Sequence, residues 1–183
     1  MKLRAQVEVN FRLPGRNFDG KAEERRTRFN AIVTQLGRRR DGRPNDQDVK
    51  TMQEWAKQKL PAADYVIGTW QLKGEVLPKD TSTGLASIQR AADKNYGPAL
   101  FFIGQLQMQG NLLPKDSTAG LSHIRDGALL GSKEAQLSMG EMYEKGDAVG
   151  IDLDCAKRYF RLCAAAGTPE CQFQLGKLLL ASP

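Results

Sequence analysis

Histidine is almost missing from this sequence: His123 is the only one among 183 residues. A single histidine excludes zinc sites built on paired histidines, and no Cys-x-x-Cys spacing replaces them. The three cysteines, Cys155, Cys163 and Cys171, all lie near the C-terminal end and are too few for a disulfide-framework fold. Neither G-x-G-x-x-G nor a P-loop occurs among the 18 glycines, so no cofactor is expected. A Ser-His-Asp triad would have to recruit His123, whose surroundings read as the outer surface of a helix. The sequence shows no catalytic constellation. Long apolar runs are lacking as well, and none approaches the roughly 20 residues that a membrane span requires. Met1-Lys2-Leu3-Arg4 starts like a signal peptide, but Gln6, Glu8, Asn10 and Arg12 break the apolar stretch that should follow. The chain is either cytoplasmic or a mature form.

What is present is the composition of an ordinary globular chain, 40% hydrophobic and 26% charged, which excludes collagen-like and disordered classes. At this length roughly 70% of the unfolded surface is buried on folding, enough for stability without a metal. The net charge of +6 is unevenly placed. Residues 1–60 hold 15 basic and 8 acidic side chains, whereas residues 61–183 hold 12 and 13. The basic excess peaks at Arg38, Arg39, Arg40 and Arg43, a patch that could contact phosphates or an anionic membrane. No aromatic residues are interleaved with these arginines for base stacking, which argues against nucleic acid. A solvated helix end, where cations complement the dipole, is the reading these arginines favour. Further upstream, Ala5, Val7, Val9, Phe11 and Leu13 alternate with polar residues as far as Pro14-Gly15, the pattern of a half-buried strand. That segment could pair with its own copy in a homodimer, add to a partner's sheet edge, or lie as a leader ordered by contact.

A repeat organises the remainder. Gly68, Gly104, Gly140 and Gly176 recur every 36 residues, as do Gly74, Gly110 and Gly146, and Asp80, Asp116 and Asp152. Even the loop recurs, GEVLPKDTSTGLASI against GNLLPKDSTAGLSHI. Each unit predicts two helices. The first runs from about Pro61 to Lys73, with copies near 98–109 and 134–145, and the second glycine set ends it in a left-handed cap. The aspartates then cap the second helix or its approach. Leu85, Ile88 and Ala92, copied as Leu121, Ile124 and Ala128, share one face of that helix, and Asn95, Gly131 and Gly167 end it. The expected fold is all-α, a right-handed solenoid of helical hairpins in which neighbours supply each other's core. Its parts are an extended segment 1–22, a degenerate basic hairpin 23–60, repeats 61–96, 97–132 and 133–168, and a closing helix 169–181. In the degenerate copy Met52, Trp55 and Ala56 point inward. Its Gly37 stands 31 residues before Gly68, outside the period.

The third copy, AQLSMGEMYEKGDAVGIDLDCAKRYFRLCAAAGTPECQFQLG, resembles the Sel1-like repeat. Ala135, Gly140, Tyr143, Gly146, Val149, Asp152, Ala156, Tyr159 and Gly167 fit that family's pattern. The copies at Gly68 and Gly104 depart from it, with Gln71 and Gln107 in place of the tyrosine and Pro78 and Pro114 after the loop leucine. The resemblance covers about residues 61–180. It implies a TPR-like solenoid that binds another protein, as in scaffolds and regulators often found at the bacterial envelope or in the periplasm. Immunity proteins that block a toxic effector enzyme are also among Sel1-like proteins. The resemblance further implies a disulfide between Cys163 and Cys171, because some secreted Sel1-like proteins carry one at this spacing. The residues alone leave two small buried thiols open as the alternative. A disulfide would favour a periplasmic or secreted mature chain over a cytoplasmic one, with Cys155 left free.

Solenoids of this kind present their first helices on the concave side. Stepping along each copy selects Val66, Thr69 and Lys73, then Phe102, Gln105 and Gln109, then Ser138, Glu141 and Lys145 as partner-binding residues. They vary in chemistry between copies, as contact residues would. Phe102 is the best anchor, since an aromatic side chain in a groove is a typical hot spot. Packing between repeats is the other reading of Val66 and Phe102. The expected function is a non-catalytic adaptor or scaffold for another protein.

Overall fold

Capping residues set the helix boundaries of this chain. The computed structural model describes residues 24–25, 27–33 and 44–181. The alternating segment with Val7, Val9 and Phe11, and the cluster Arg38, Arg39, Arg40 and Arg43, lie outside the described residues. Within them every regular element is a helix. A helical stretch at 27–33 precedes α1 (Asp46–Lys57), α2 (Pro61–Lys73), α3 (Thr81–Ala92), α4 (Gly97–Gln109), α5 (Ser117–Leu129), α6 (Lys133–Lys145), α7 (Leu153–Ala165) and α8 (Pro169–Leu180).

The loop chemistry is the same in each copy. Gly74, Gly110 and Gly146 close α2, α4 and α6 with φ of 73°, 72° and 80°, a left-handed conformation that suits glycine. Asp80, Asp116 and Asp152 then cap α3, α5 and α7, accepting from the N–H groups of Thr83, Ala119 and Cys155 at 3.0, 2.9 and 2.9 Å. The aspartate N–H groups donate back to the carbonyls of Gln71, Gln107 and Tyr143 at 3.0, 3.0 and 2.9 Å, which ties each loop to its first helix.

Second helices also end alike. The N–H groups of Leu60, Tyr96, Ser132 and Thr168 donate to the carbonyls of Trp55, Ala91, Gly127 and Cys163 at 3.0, 3.1, 3.0 and 3.2 Å. The residue before each donor is left-handed: Lys59, Asn95, Gly131 and Gly167 have φ of 59°, 58°, 87° and 81°. These positions keep the interval of the later glycines, so α1 is a second helix in register with the rest.

By compactness the chain divides into Met1–Ala86 and Ser87–Pro183, a division that falls within α3. In the first unit Ile32, Met52, Trp55, Ala63 and Ile67 form the core, and the Phe29 ring lies 6.3 Å from that of Trp55. The second unit holds one cluster around Ile124, Ala128, Ala135 and Met139, and another around Ala156, Phe160, Cys163, Cys171 and Leu178. One position dominates burial throughout. Met52, Ile88, Ile124 and Phe160 occupy it in successive second helices and are 0%, 0%, 1% and 0% exposed. Truncating such a side chain to alanine costs about 2–5 kcal/mol.

First and second helices of a hairpin cross at small residues. A β-carbon on Gly104 would stand 2.7 Å from the Gly120 carbonyl oxygen, and one on Gly120 would stand 2.8 Å from that of Gly104. Helices α4 and α5 therefore touch backbone to backbone. In the next hairpin the space left by Gly140 is filled by the Phe160 ring.

Candidate protein-interaction surface

First helices α4 and α6 lie against one another in the second unit, which brings two of the three residue sets into one strip. On α4, Phe102 and Gln105 are half-buried and Gln109 is exposed. The Gln109 side-chain oxygen accepts from the Asn111 side-chain amide at 3.0 Å. On α6, Ser138 and Glu141 are half-buried and Lys145 is exposed at the helix end. The positions that alternate with them, Ile103 and Gly104 on α4 and Met139 and Gly140 on α6, are buried in the hairpins. In the first unit Val66 packs against the core of Ile67 and Trp55, and the Thr69 hydroxyl donates to the Val66 carbonyl at 2.8 Å. Of that set only Lys73 is exposed. Val66 is half-buried, with part of its side chain packed on that core.

His123 does not lie on an outer helix surface as the sequence suggests. It is half-buried, and its Nδ1 is hydrogen-bonded across the hairpin to the Gln107 side chain at 2.7 Å. The same two positions in the next copy hold Tyr143 and Tyr159, whose rings stack with centroids 5.9 Å apart. The hairpin interior therefore holds a polar pair in one repeat and an aromatic pair in the next. Burial raises the Tyr159 hydroxyl above its usual range, with Tyr143 beside it adding to the effect.

Cys163 and Cys171 are joined in a disulfide with a Cα–Cα distance of 5.8 Å, both fully buried where α7 meets α8. Cys155 is the free thiol, and its hydrogen bond to Asp152 pushes its pKa up. The N–H groups of Thr83 and Cys155, bonded to Asp80 and Asp152, hold both carboxyls below the usual range. Among the described residues no three His, Cys, Asp or Glu side chains converge as metal ligands, and no helix is long and apolar enough to cross a membrane.

The first unit also carries a cleft lined by Glu24, Arg25, Arg28, Trp55 and Gln58, which the sequence did not suggest. Arg25 donates to the Gln58 side-chain oxygen across it at 3.2 Å. Its rim mixes charges of both signs, with Glu24, Arg25 and Arg28 on one side and Trp55 and Gln58 on the other.

Helical hairpins in register, joined by the same capped loops, define an α-solenoid. Solved structures show which kind. The chain is 27% identical to a protective antigen of uropathogenic Escherichia coli strains displaying an SLR fold, over 70% of its own length and with a TM-score of 0.60. It spans 27% of that antigen's length. A Sel1 repeat protein from Oxalobacter formigenes matches 72% of the chain over 98% of its own length, with a TM-score of 0.62 at 24% identity, a likeness of fold. No family model matches the chain, and no curated protein does. The chain is similar to Sel1-like repeat proteins and has their fold, a solenoid of the protein-interaction type.

Proposed function

We propose that this protein is a non-catalytic adaptor that binds a partner protein through the strip of first helices, α4 and α6. The observation that carries the reading is the contrast along these helices. Buried positions repeat in kind, whereas the half-buried and exposed ones change from Phe102, Gln105 and Gln109 to Ser138, Glu141 and Lys145. A surface kept only for solubility has no need of a half-buried phenylalanine beside two glutamines. Phe102 would anchor the partner, with Gln105, Glu141 and Lys145 as polar contacts around it. The disulfide supports an oxidising compartment, periplasmic or extracellular, where an envelope scaffold or regulator would work.

The test is affinity capture from the native organism with the wild-type chain and with Phe102→Ala and Glu141→Lys variants, each checked for native circular dichroism. One stoichiometric partner, held at high salt and lost with the variants, is the expected result. A partner held equally by both variants would remove this strip as its binding face. If the partner is an enzyme whose activity the chain abolishes, the protein is an inhibitor of the immunity kind rather than a scaffold.

A further inference from the structure

The lining of the cleft in the first unit follows from how the helical stretch at 27–33 is seated. Phe29 and Ile32 pack into the core with Trp55, and Ile32 is 5% exposed. Arg25 and Arg28 precede these two residues by one turn, so the same side of the helix carries both guanidiniums to the end of α1. There they meet Trp55, a buried floor at 7% exposed, and Gln58, the residue that caps α1. The cleft has a volume of about 360 Å³, near the lower end of the roughly 300–1,000 Å³ that small-ligand sites span.

Its polar groups are mostly donors. Arg25 Nη1 donates to Gln58 Oε1 at 3.2 Å, which occupies the acceptor end of that amide and leaves its NH2 group as the end on offer. The Arg28 guanidinium has donors only, and among the described residues no hydrogen bond or ion pair engages it. Glu24 alone brings a negative charge to the lining, so two positive charges stand against one, a net of +1. We propose that this cleft binds the carboxylate of a small ligand, about the size of a dipeptide, between Arg28 and the Gln58 amide. A planar carboxylate meets a guanidinium with two parallel hydrogen bonds. Its single charge balances the lining, whereas a phosphate dianion would carry a surplus charge beside Glu24. A cationic ligand would have Glu24 alone to meet. Arg25 is a positioning residue, which fixes the end of the Gln58 amide that the ligand meets. The cleft shares no residue with the α4–α6 strip, so the proposal neither needs the adaptor reading nor falls with it.

The test is a titration of the 15N-labelled whole chain with N-acetyl-dialanine, followed through the indole N–H signals in two-dimensional NMR. The chain has two tryptophans, and Trp70→Phe identifies which signal belongs to Trp55. A saturable shift at Trp55 with Kd at or below about 1 mM is expected. Arg28→Gln should weaken binding about tenfold or more, and Glu24→Gln, which removes the like charge, should strengthen it about two- to fivefold. Both positions are exposed, so neither substitution disturbs the core. The same peptide ending in an amide should not saturate, a control that needs no substitution. Propionate identifies the source of the acid: equal binding means a free small acid, and binding by the peptide alone means the end of a chain. No saturable shift at Trp55 in the wild type overturns the proposal, and so does an Arg28→Gln chain that binds equally well. Tighter binding of inorganic phosphate than of the peptide overturns it too, because the lining then prefers a higher charge.

Discussion

Replacing Gly104 by alanine and, separately, Gly176 by alanine should move stability in opposite directions, although the two residues hold the same place in the repeat. At Gly104 the new methyl group would stand 2.7 Å from the Gly120 carbonyl oxygen, 2.8 Å from Ile124 Cγ1 and 3.0 Å from the Ile124 nitrogen. Two of these are backbone atoms that cannot rotate away, so α4 and α5 must separate. Overpacking of this kind costs roughly 1–3 kcal/mol. The better helix propensity of alanine returns about 1 kcal/mol. With fixed atoms opposing the methyl, the upper part of that range applies and the net loss is about 1–2 kcal/mol. At Gly176 no atom opposes the methyl, and only the propensity gain of about 0.5–1 kcal/mol remains. The variants should therefore differ by about 1.5–3 kcal/mol, or roughly 3–12 °C in Tm for a chain of this size. Urea unfolding followed by circular dichroism, with the disulfide kept oxidised, reads the difference directly. Both glycines belong to the second compact unit, so one transition reports both. A Gly104→Ala protein as stable as the wild type would refute the close crossing, and with it the helix-packing scheme that separates hairpin positions from surface positions.

Removing the disulfide by Cys163→Ala with Cys171→Ala reproduces the pair found at Ala91 and Ala99; the fold should survive with a loss of about 2–3 kcal/mol in urea unfolding, from the short loop the bond closes. In the native wild type only Cys155 should react with iodoacetamide, and slowly, because its raised pKa keeps it a thiol; mass spectrometry with and without reductant counts the alkylated sites. Folding lowers the pKa of Asp80 and Asp152, so their contribution is complete above the unfolded value of 3.8 and is lost as pH falls through the lower folded values. Asp152→Asn keeps a capping oxygen that does not titrate, and its stability should therefore fall less than that of the wild type between about pH 5 and pH 2. Converting Gln107 and His123 together to tyrosine should install the stack of Tyr143 and Tyr159 one repeat earlier; a double-mutant cycle should show about 0.5–1.5 kcal/mol of favourable coupling, and zero coupling would mean that the two hairpin interiors differ in shape.

The sequence announces helix ends well because their chemistry is local. Asp116 must sit three residues before the N–H it accepts from, and Gly110 must sit where the backbone turns left-handed, so both reveal themselves by spacing. The register of α1 was harder to see. Its glycines have moved, and the left-handed residue is Lys59 rather than glycine or asparagine. The usable signal was alanine: Ala56 and Ala63 stand one period before Ala92 and Ala99. His123 looked like a surface residue because a lone polar side chain on a helix usually is one. Its partner Gln107 was the clue, separated from it as Tyr143 is from Tyr159. Counting along α2 gives the angle of Val66 around the helix axis and nothing more. Whether a neighbour covers that angle depends on long-range packing, as it does for the cleft beside Arg25 and Trp55.

The bonds that close each hairpin also give the chain an order of assembly. Leu60 reaches back only to Trp55, and Asp80 only to Gln71, so every loop closes at small entropic cost once its own residues exist. Local contacts of this kind favour fast folding that can begin in any copy and spread to its neighbours. The disulfide is of the same local kind: Cys163 and Cys171 are eight residues apart, so the bond closes a short loop across the turn from α7 to α8 and locks two helices that the hairpin bonds already bring together.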